Sequence, residues 1–404
     1  MHSKLKNLSV AATATAFLAF SQFAHAEISG DVVRIGFITD MSGGFADPDG
    51  PGGAHAIRMA IADFGGTMNG KSIELLTFDH QNKADNAASK SREWFDQQGI
   101  DVLIGGTNSA ASLAMAKIAA EKKKPFIAIG SGSARLTNEE CSPYTVHYAY
   151  DTVALARGTG SALFKQGGKS WYFLTADYAF GKSLESEAAK IVKETGGTIT
   201  GTIKHPIATS DFSSFLLQAQ NSKAQVLGLA NAGDDTVNAV KSAYEFGINK
   251  SMKLAALIFT INDIHALTLP IAKDMYLTDH WYWDMNPETR KWAQRYFGKM
   301  KKMPSSFQAA DYSAVTQYLV AVKATATDNP DKVLAYLKSA KLNDLYVKNG
   351  YIRADGRMMN NLYLMQVKAP AESKYPWDYY KIVETIPSEK VYTTKAESKC
   401  ALWK

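Results

Sequence analysis

Short apolar runs and amphipathic stretches alternate along most of the chain. Val32–Ile38, Ile73–Phe78, Val102–Ile104 and Phe126–Ile129 are near-continuous apolar segments, as strands buried on both faces require. Between them lie stretches of helical period, predicted at Ala54–Phe64, Asn86–Gln97 and Ser109–Glu121. A second series repeats the grammar, with strands at Trp171–Leu174, Ile199–Ile203, Val226–Leu229 and Leu254–Phe259. Its helices are expected at Val153–Gln166, Leu184–Glu194, Phe212–Gln220 and Thr236–Phe246. Repeated strand–helix–strand units of this kind imply parallel sheets flanked by helices. Two such series in tandem predict an α/β protein of two units rather than one sheet. Helical period returns at Pro287–Met300 and Gln308–Ala324, followed by strand patterns at Tyr363–Val367 and Tyr379–Val383.

The first residues break this pattern. Lys4 and Lys6 precede an apolar run from about Leu8 to Phe23, which ends in Ala24-His25-Ala26. That order is a secretory leader cut after Ala26 rather than a membrane anchor, because the run is short and interrupted by Thr13, Thr15, Ser21 and Gln22. An exported, periplasmic protein without direct membrane insertion follows. Formal charge is +6 over 404 residues with no long basic run, which argues against a nucleic-acid partner. Cys141 and Cys400 are the two cysteines. In an oxidising compartment they are expected to pair, two buried thiols being the alternative.

Candidate chemistry is sparse. Gly65-Gly66-Thr67-Met68-Asn69-Gly70-Lys71-Ser72 fits the phosphate-loop pattern G-x-x-x-x-G-K-[ST] letter for letter. Its order is reversed, however, since a helix precedes it and a strand follows, so a helix-to-strand turn is expected. The eight histidines are scattered, and no metal-ligand or nucleophile motif occurs. No cofactor, metal site or catalytic residue is expected, and the chain is not expected to be an enzyme. What remains are small polar residues at strand ends, where open α/β sheets bind ligands. Gly105-Gly106-Thr107-Asn108-Ser109 opens a helix, and Gly130-Ser131-Gly132-Ser133 follows the neighbouring strand. Free N–H groups and hydroxyls at those places suit a carboxylate.

Together with Ile35–Gly43, Ile129–Thr137 and Ala176-Asp177-Tyr178-Ala179-Phe180-Gly181, these loops resemble the type 1 periplasmic binding proteins of the leucine/isoleucine/valine-binding family. The resemblance runs from about Val32 to the C-terminus. It implies two Rossmann-like lobes, with parallel sheets flanked by helices, joined by three crossovers near 147–151, 277–284 and 357–363 and closing on a ligand. Lobe one would be 27–149 plus 283–358, and lobe two 150–282 plus 359–404. By position, Asn108, Ser109, Ser131, Ser133, Tyr150, Phe180, Asn231 and Trp281 would contact the ligand. The partners it implies are a small-molecule carboxylate and the membrane permease of an ABC transporter, with the binding protein itself a monomer.

Amino-acid binders of this family carry a glutamate after the strand that matches Leu254–Phe259, where it neutralises the ligand ammonium. Here Phe259-Thr260-Ile261-Asn262-Asp263 has none, so an amino acid would need Asp263, Asp47 or Asp49 in its place. The aromatic residues Tyr150, Tyr178, Phe180 and Trp281-Tyr282-Trp283 resemble the subgroup that takes aromatic carboxylates such as benzoate. Branched-chain amino acid binding, or sensing through a membrane receptor, are the alternatives.

Overall fold

In a computed structural model, residues 28–404 are described; the expected leader lies outside them. Among these residues no helix is long and apolar enough to cross a membrane.

The first sheet has six strands in the order Thr67–Met68, Lys71–Asp79, Val32–Thr39, Val102–Gly105, Phe126–Ala128, Thr145–His147. All pair in parallel except the first, which folds back antiparallel on Lys71–Ser72. Ile35, Phe37, Val102, Ile104 and Phe126 lose all contact with solvent. Burying each such side chain contributes about 1.5–3 kcal/mol. The second sheet is wholly parallel, in the order Lys253–Ala256, Val226–Ala230, Ser170–Ala176, Thr198–His205. A three-stranded antiparallel sheet of Tyr276–Asp279, Leu362–Val367 and Tyr380–Ile386 extends the second lobe. The helix Ser306–Thr325 lies against Gly50–Asp63, and Pro330–Ser339 lies against Ser306–Thr325. Chain beyond the second lobe thus returns to the first.

The phosphate-loop lookalike is a β-hairpin. Asn69 (φ 52°) and Gly70 (φ 83°) make its two-residue turn, and the Asn-Gly pair suits two successive left-handed positions. Lys71 Nζ donates to the carbonyls of Ile28 and Gly30, tying down the N-terminal segment. The lysine is spent on structure.

Elsewhere several helices begin at side-chain caps. Asn108 Oδ1 accepts from the N–H groups of Ala110 and Ala111, Asp151 Oδ1 accepts from Ala154, and Thr260 and Asp263 form a reciprocal capping box. The helix expected over 153–166 is divided, with a wider π turn at Ala156–Gly160 between two short α segments. The strand expected to reach Phe259 stops at Ala256.

Three crossings between the lobes meet in one buried cluster. His147 donates its backbone N–H to Gly356, and Tyr392 Oη lies 2.7 Å from His280 Nε2. The Arg357 guanidinium covers the Tyr392 ring and stands 3.6 Å from Asp151. Burial first, and Arg357 second, hold both histidines far below their usual range, His280 at about 3. Neutral imidazoles therefore surround the one guanidinium of this cluster.

Cys141 and Cys400 form a disulfide, with Cα atoms 5.7 Å apart. The preceding tail touches both lobes. Glu397 pairs with Arg157 and Lys190 on the second, while Lys399 pairs with Glu139 on the first.

Candidate functional site

Strand ends of the two parallel sheets face each other across a closed cleft. The first lobe contributes Phe45, Pro48, Thr107, Gly130 and Phe307 to an enclosed cavity, and Tyr150 joins them from the first crossing. The second contributes Tyr178, Phe180, Ala232, Gly233, Ile258, Thr260 and Asp263. Its volume is about 20 Å³, against roughly 150 Å³ for a cavity that takes a benzene ring. The walls are rings packed on rings. Tyr150 stacks on Phe307 at 5.0 Å between centroids and meets Phe180 edge-on at 6.3 Å, while Tyr178 lies 6.1 Å from Phe45 and 6.0 Å from Phe180. Entry of a ring requires these walls to part. A wider space of about 400 Å³ adjoins at the outer edge, between Asp47, Lys302 and Gln308 on one side and Asp234 and Asn262 on the other. One backbone bond crosses the cleft, from Asp234 N–H to the Gly44 carbonyl at 3.2 Å.

The three serines of the expected carboxylate seat are gathered together. Ser109 Oγ accepts from Ser131 Oγ and from the Ser133 N–H, each at 3.2 Å. Two acceptances leave the Ser109 hydroxyl hydrogen uncommitted. Ser133 Oγ is buried without a partner. Such groups cost free energy unless they are matched, so this corner holds donors prepared for an acceptor. It sits behind the Tyr150–Phe180 wall, because Gly132, in the same loop, packs directly on both rings.

The other expected contacts lie in varied surroundings. Tyr150 and Phe180 line the cavity, and Tyr150 Oη donates to the Gly130 carbonyl at 3.0 Å. Asn108 caps its helix and reaches Asn82 at 3.4 Å. Asn231 stands at its strand end, but its amide is occupied by Thr236 Oγ1 at 2.8 Å and His205 at 3.3 Å. Trp281 is outside the cavity: its indole N–H donates to the Leu345 carbonyl and its ring abuts Trp292 edge-on. Its neighbours Tyr282 and Trp283 both donate to the Trp377 carbonyl and hold the tail.

Several lining residues carried no sequence signal. Phe45 and Phe307 come from segments far from either strand-end loop, whereas Thr107 lies inside the loop already singled out. Asp263 has one oxygen committed to the Thr260 N–H and hydroxyl, at 2.7 and 2.9 Å. Burial pushes its carboxyl up to about 6, against the lowering effect of those two bonds. The acid is thus the one ionisable carboxylate on the cavity wall, and a cation or hydroxyl donor would match it.

The sequence matches the periplasmic binding protein family over residues 32–374. A periplasmic binding protein from Burkholderia mallei is 65% identical, with a TM-score of 0.91 over 93% of this chain and all of that one. A branched chain amino acid ABC transporter periplasmic ligand-binding protein from Burkholderia xenovorans is 35% identical, with a TM-score of 0.82 over 92% of this chain and all of that one. A solute-binding protein of an ABC transporter from R. palustris, solved in complex with benzoate, shares the fold at 21% identity, with a TM-score of 0.81 over 92% of this chain and all of that one. Leu/Ile/Val-binding protein homolog 6 of Brucella melitensis is 26% identical over 240 residues, 59% of this chain; the chain spans about 60% of that relative's length. Paired parallel sheets, a cleft between strand ends and a match across most of the chain agree: the protein belongs to the periplasmic binding protein family.

Proposed function

We propose that the protein captures a small carboxylate with a flat apolar body, of the benzoate, phenylpropanoid or aromatic keto acid type, and presents it to the permease of an ABC importer. The observation that carries this is the convergence of five rings, Phe45, Tyr150, Tyr178, Phe180 and Phe307, from both lobes on one cavity beside the Ser109–Ser131–Ser133 corner. Rings supply apolar area with little rotamer entropy to lose, and the serines supply the anion's hydrogen bonds. Ligand contacts made only when both lobes are engaged would favour the closed form, which the permease would read. We assign lobe one to 27–149 plus 283–358 and lobe two to 150–282 plus 359–404. The protein would act as a periplasmic monomer, without cofactor and without chemical change to the ligand.

A second reading is favoured by Asp263. A carboxylate on the second-lobe wall can neutralise the ammonium of an amino acid, and the 35% identical relative is a periplasmic ligand-binding protein of a branched chain amino acid ABC transporter. Calorimetric titration with benzoates, phenylpropanoids, aromatic keto acids and branched amino acids separates the two. Asp263→Asn sharpens the choice: removing the negative charge should weaken an amino acid and leave or strengthen a ring acid. A response to leucine or valine alone would overturn the aromatic proposal, and recovery of a chemically altered ligand would overturn the non-catalytic one.

A further inference from the structure

Behind the cavity wall lie two carboxyl groups that capture of an anion does not use. Asp49 precedes the helix Gly50–Asp63 and Asp311 lies on Ser306–Thr325; both side chains are fully buried. Asp49 Oδ1 and both oxygens of Asp311 have no N–H or hydroxyl facing them. They face each other instead. A Cβ placed on Gly53 would lie 2.4 Å from Asp49 Oδ1 and 2.5 Å from Asp311 Oδ2, so only a residue without a side chain leaves the two oxygens their shared space.

Two like charges buried this close cannot both ionise. The other ionisable groups coupled to the pair are Asp40, Tyr150 and Tyr296, none of them cationic. One proton between Asp49 Oδ1 and Asp311 Oδ2 resolves the conflict and gives each of these oxygens its missing partner. Consistently, burial pushes Asp49 up to about 6, and burial together with repulsion from Asp49 holds Asp311 well above the carboxylate range.

That proton leaves Asp49 Oδ2 an acceptor only. Thr39 Oγ1 donates to it at 2.6 Å. A hydroxyl has a single hydrogen, so the one between Thr39 Oγ1 and Thr107 Oγ1, 2.5 Å apart, must come from Thr107. Thr107 Oγ1 in turn accepts from the Asp40 N–H at 3.1 Å. Thr107 lines the cavity with no hydrogen left to offer. Two residues on, Ser109 has the opposite polarity, accepting twice and keeping its hydrogen.

We infer that the Asp49–Asp311 pair sets the direction of the Thr39–Thr107 hydroxyl chain, so that Thr107 meets the ligand as a hydrogen-bond acceptor and selects a molecule carrying a hydroxyl or ammonium hydrogen away from its carboxylate. Asp49, Asp311 and Thr39 are positioning residues, and Thr107 determines specificity. The inference rests on the small-carboxylate proposal for its choice of probes.

The test uses the full mature chain and probe pairs in which one member carries a donor group that the other lacks: 3-hydroxybenzoate against 3-methoxybenzoate, 4-hydroxybenzoate against 4-methoxybenzoate, and L-phenylalanine against 3-phenylpropanoate. The wild type should favour the donor-bearing member of a binding pair by about tenfold. Thr107→Val should abolish that preference and Thr107→Ser should keep it. Asp311→Leu removes the group that donates to Asp49 Oδ1, so the buried Asp49 carboxyl takes up its own proton and can donate it to Thr39; this reverses the chain, and the preference should vanish or invert. A preference that survives Thr107→Val, or a wild type that favours the ethers, overturns the inference. If no probe binds, the ligand proposal fails while the acid pair is still judged by infrared spectroscopy near pH 8. A protonated-carboxyl band removed by Asp311→Asn supports the pair, and absence of that band from the wild type overturns it.

Discussion

Phe180 of the second lobe packs on Gly132 of the first so closely that a Cβ on the glycine would lie 2.6 Å from the ring, and equally near Tyr150. Contact at this range exists only while the lobes are together. Gly132→Ala should therefore burden the closed form, by about 1–3 kcal/mol for an added methyl in a packed site. Affinity should fall correspondingly, and small-angle scattering with saturating ligand should show a larger radius of gyration than the wild type. Equal radii and equal affinity would mean that the rings move aside freely.

Ser109 holds the serine corner together by accepting from two neighbours. Ser109→Ala removes both bonds and the uncommitted hydrogen. Binding of a carboxylate should weaken by about 1–3 kcal/mol, while the corresponding amide or alcohol, already poor, should change little. Unchanged calorimetric affinity for the acid would locate the anion elsewhere.

Asp263 links stability to pH. Its carboxyl sits at about 6 in the folded chain, above the ordinary 3.8, because burial disfavours the charge. The folded state then holds the proton more tightly than the unfolded state, so this contribution is present below about pH 4 and is lost as pH rises through 6. Asp235 and Asp101, also at about 6, act in the same direction. In urea titrations Asp263→Asn should gain on the wild type between pH 4 and 7, by no more than about 3 kcal/mol. A difference that stays flat with pH would remove the linkage.

The Cys141–Cys400 bridge closes a loop of 259 residues. Replacing both cysteines with serine should cost about 2–5 kcal/mol, chiefly by freeing the unfolded chain. Melting scans with and without reductant measure it, and coincident transitions would show that the bridge contributes nothing.

Much of this architecture was legible in the chain because burial on both faces leaves unmistakable apolar runs. The strands at Val102 and Val226 and the helix that opens at Ser109 are where the apolar period puts them. The helix Pro330–Ser339 carried the usual signals, Asn329 as its cap and Val333, Leu334 and Leu337 on its buried face, yet it was not anticipated. The site was less legible. Nothing in the residues around Asn231 discloses that Thr236 and His205 occupy its amide, and the apolar character of Trp281 serves a hinge core as well as a ligand wall. Asp49 and Asp311 stand far apart in the chain and meet only through tertiary packing of two helices, which no local pattern encodes.

The C-terminal tail adds a mechanical element to the hinge. Because Glu397 is held by Arg157 and Lys190 while Cys400 is bonded to Cys141, the last residues would act, in the proposed hinge motion, as a leash whose slack limits the widest gape of the jaws. Cutting that leash by reduction would let the jaws swing further, and a guest would then have a longer excursion to reverse before being gripped.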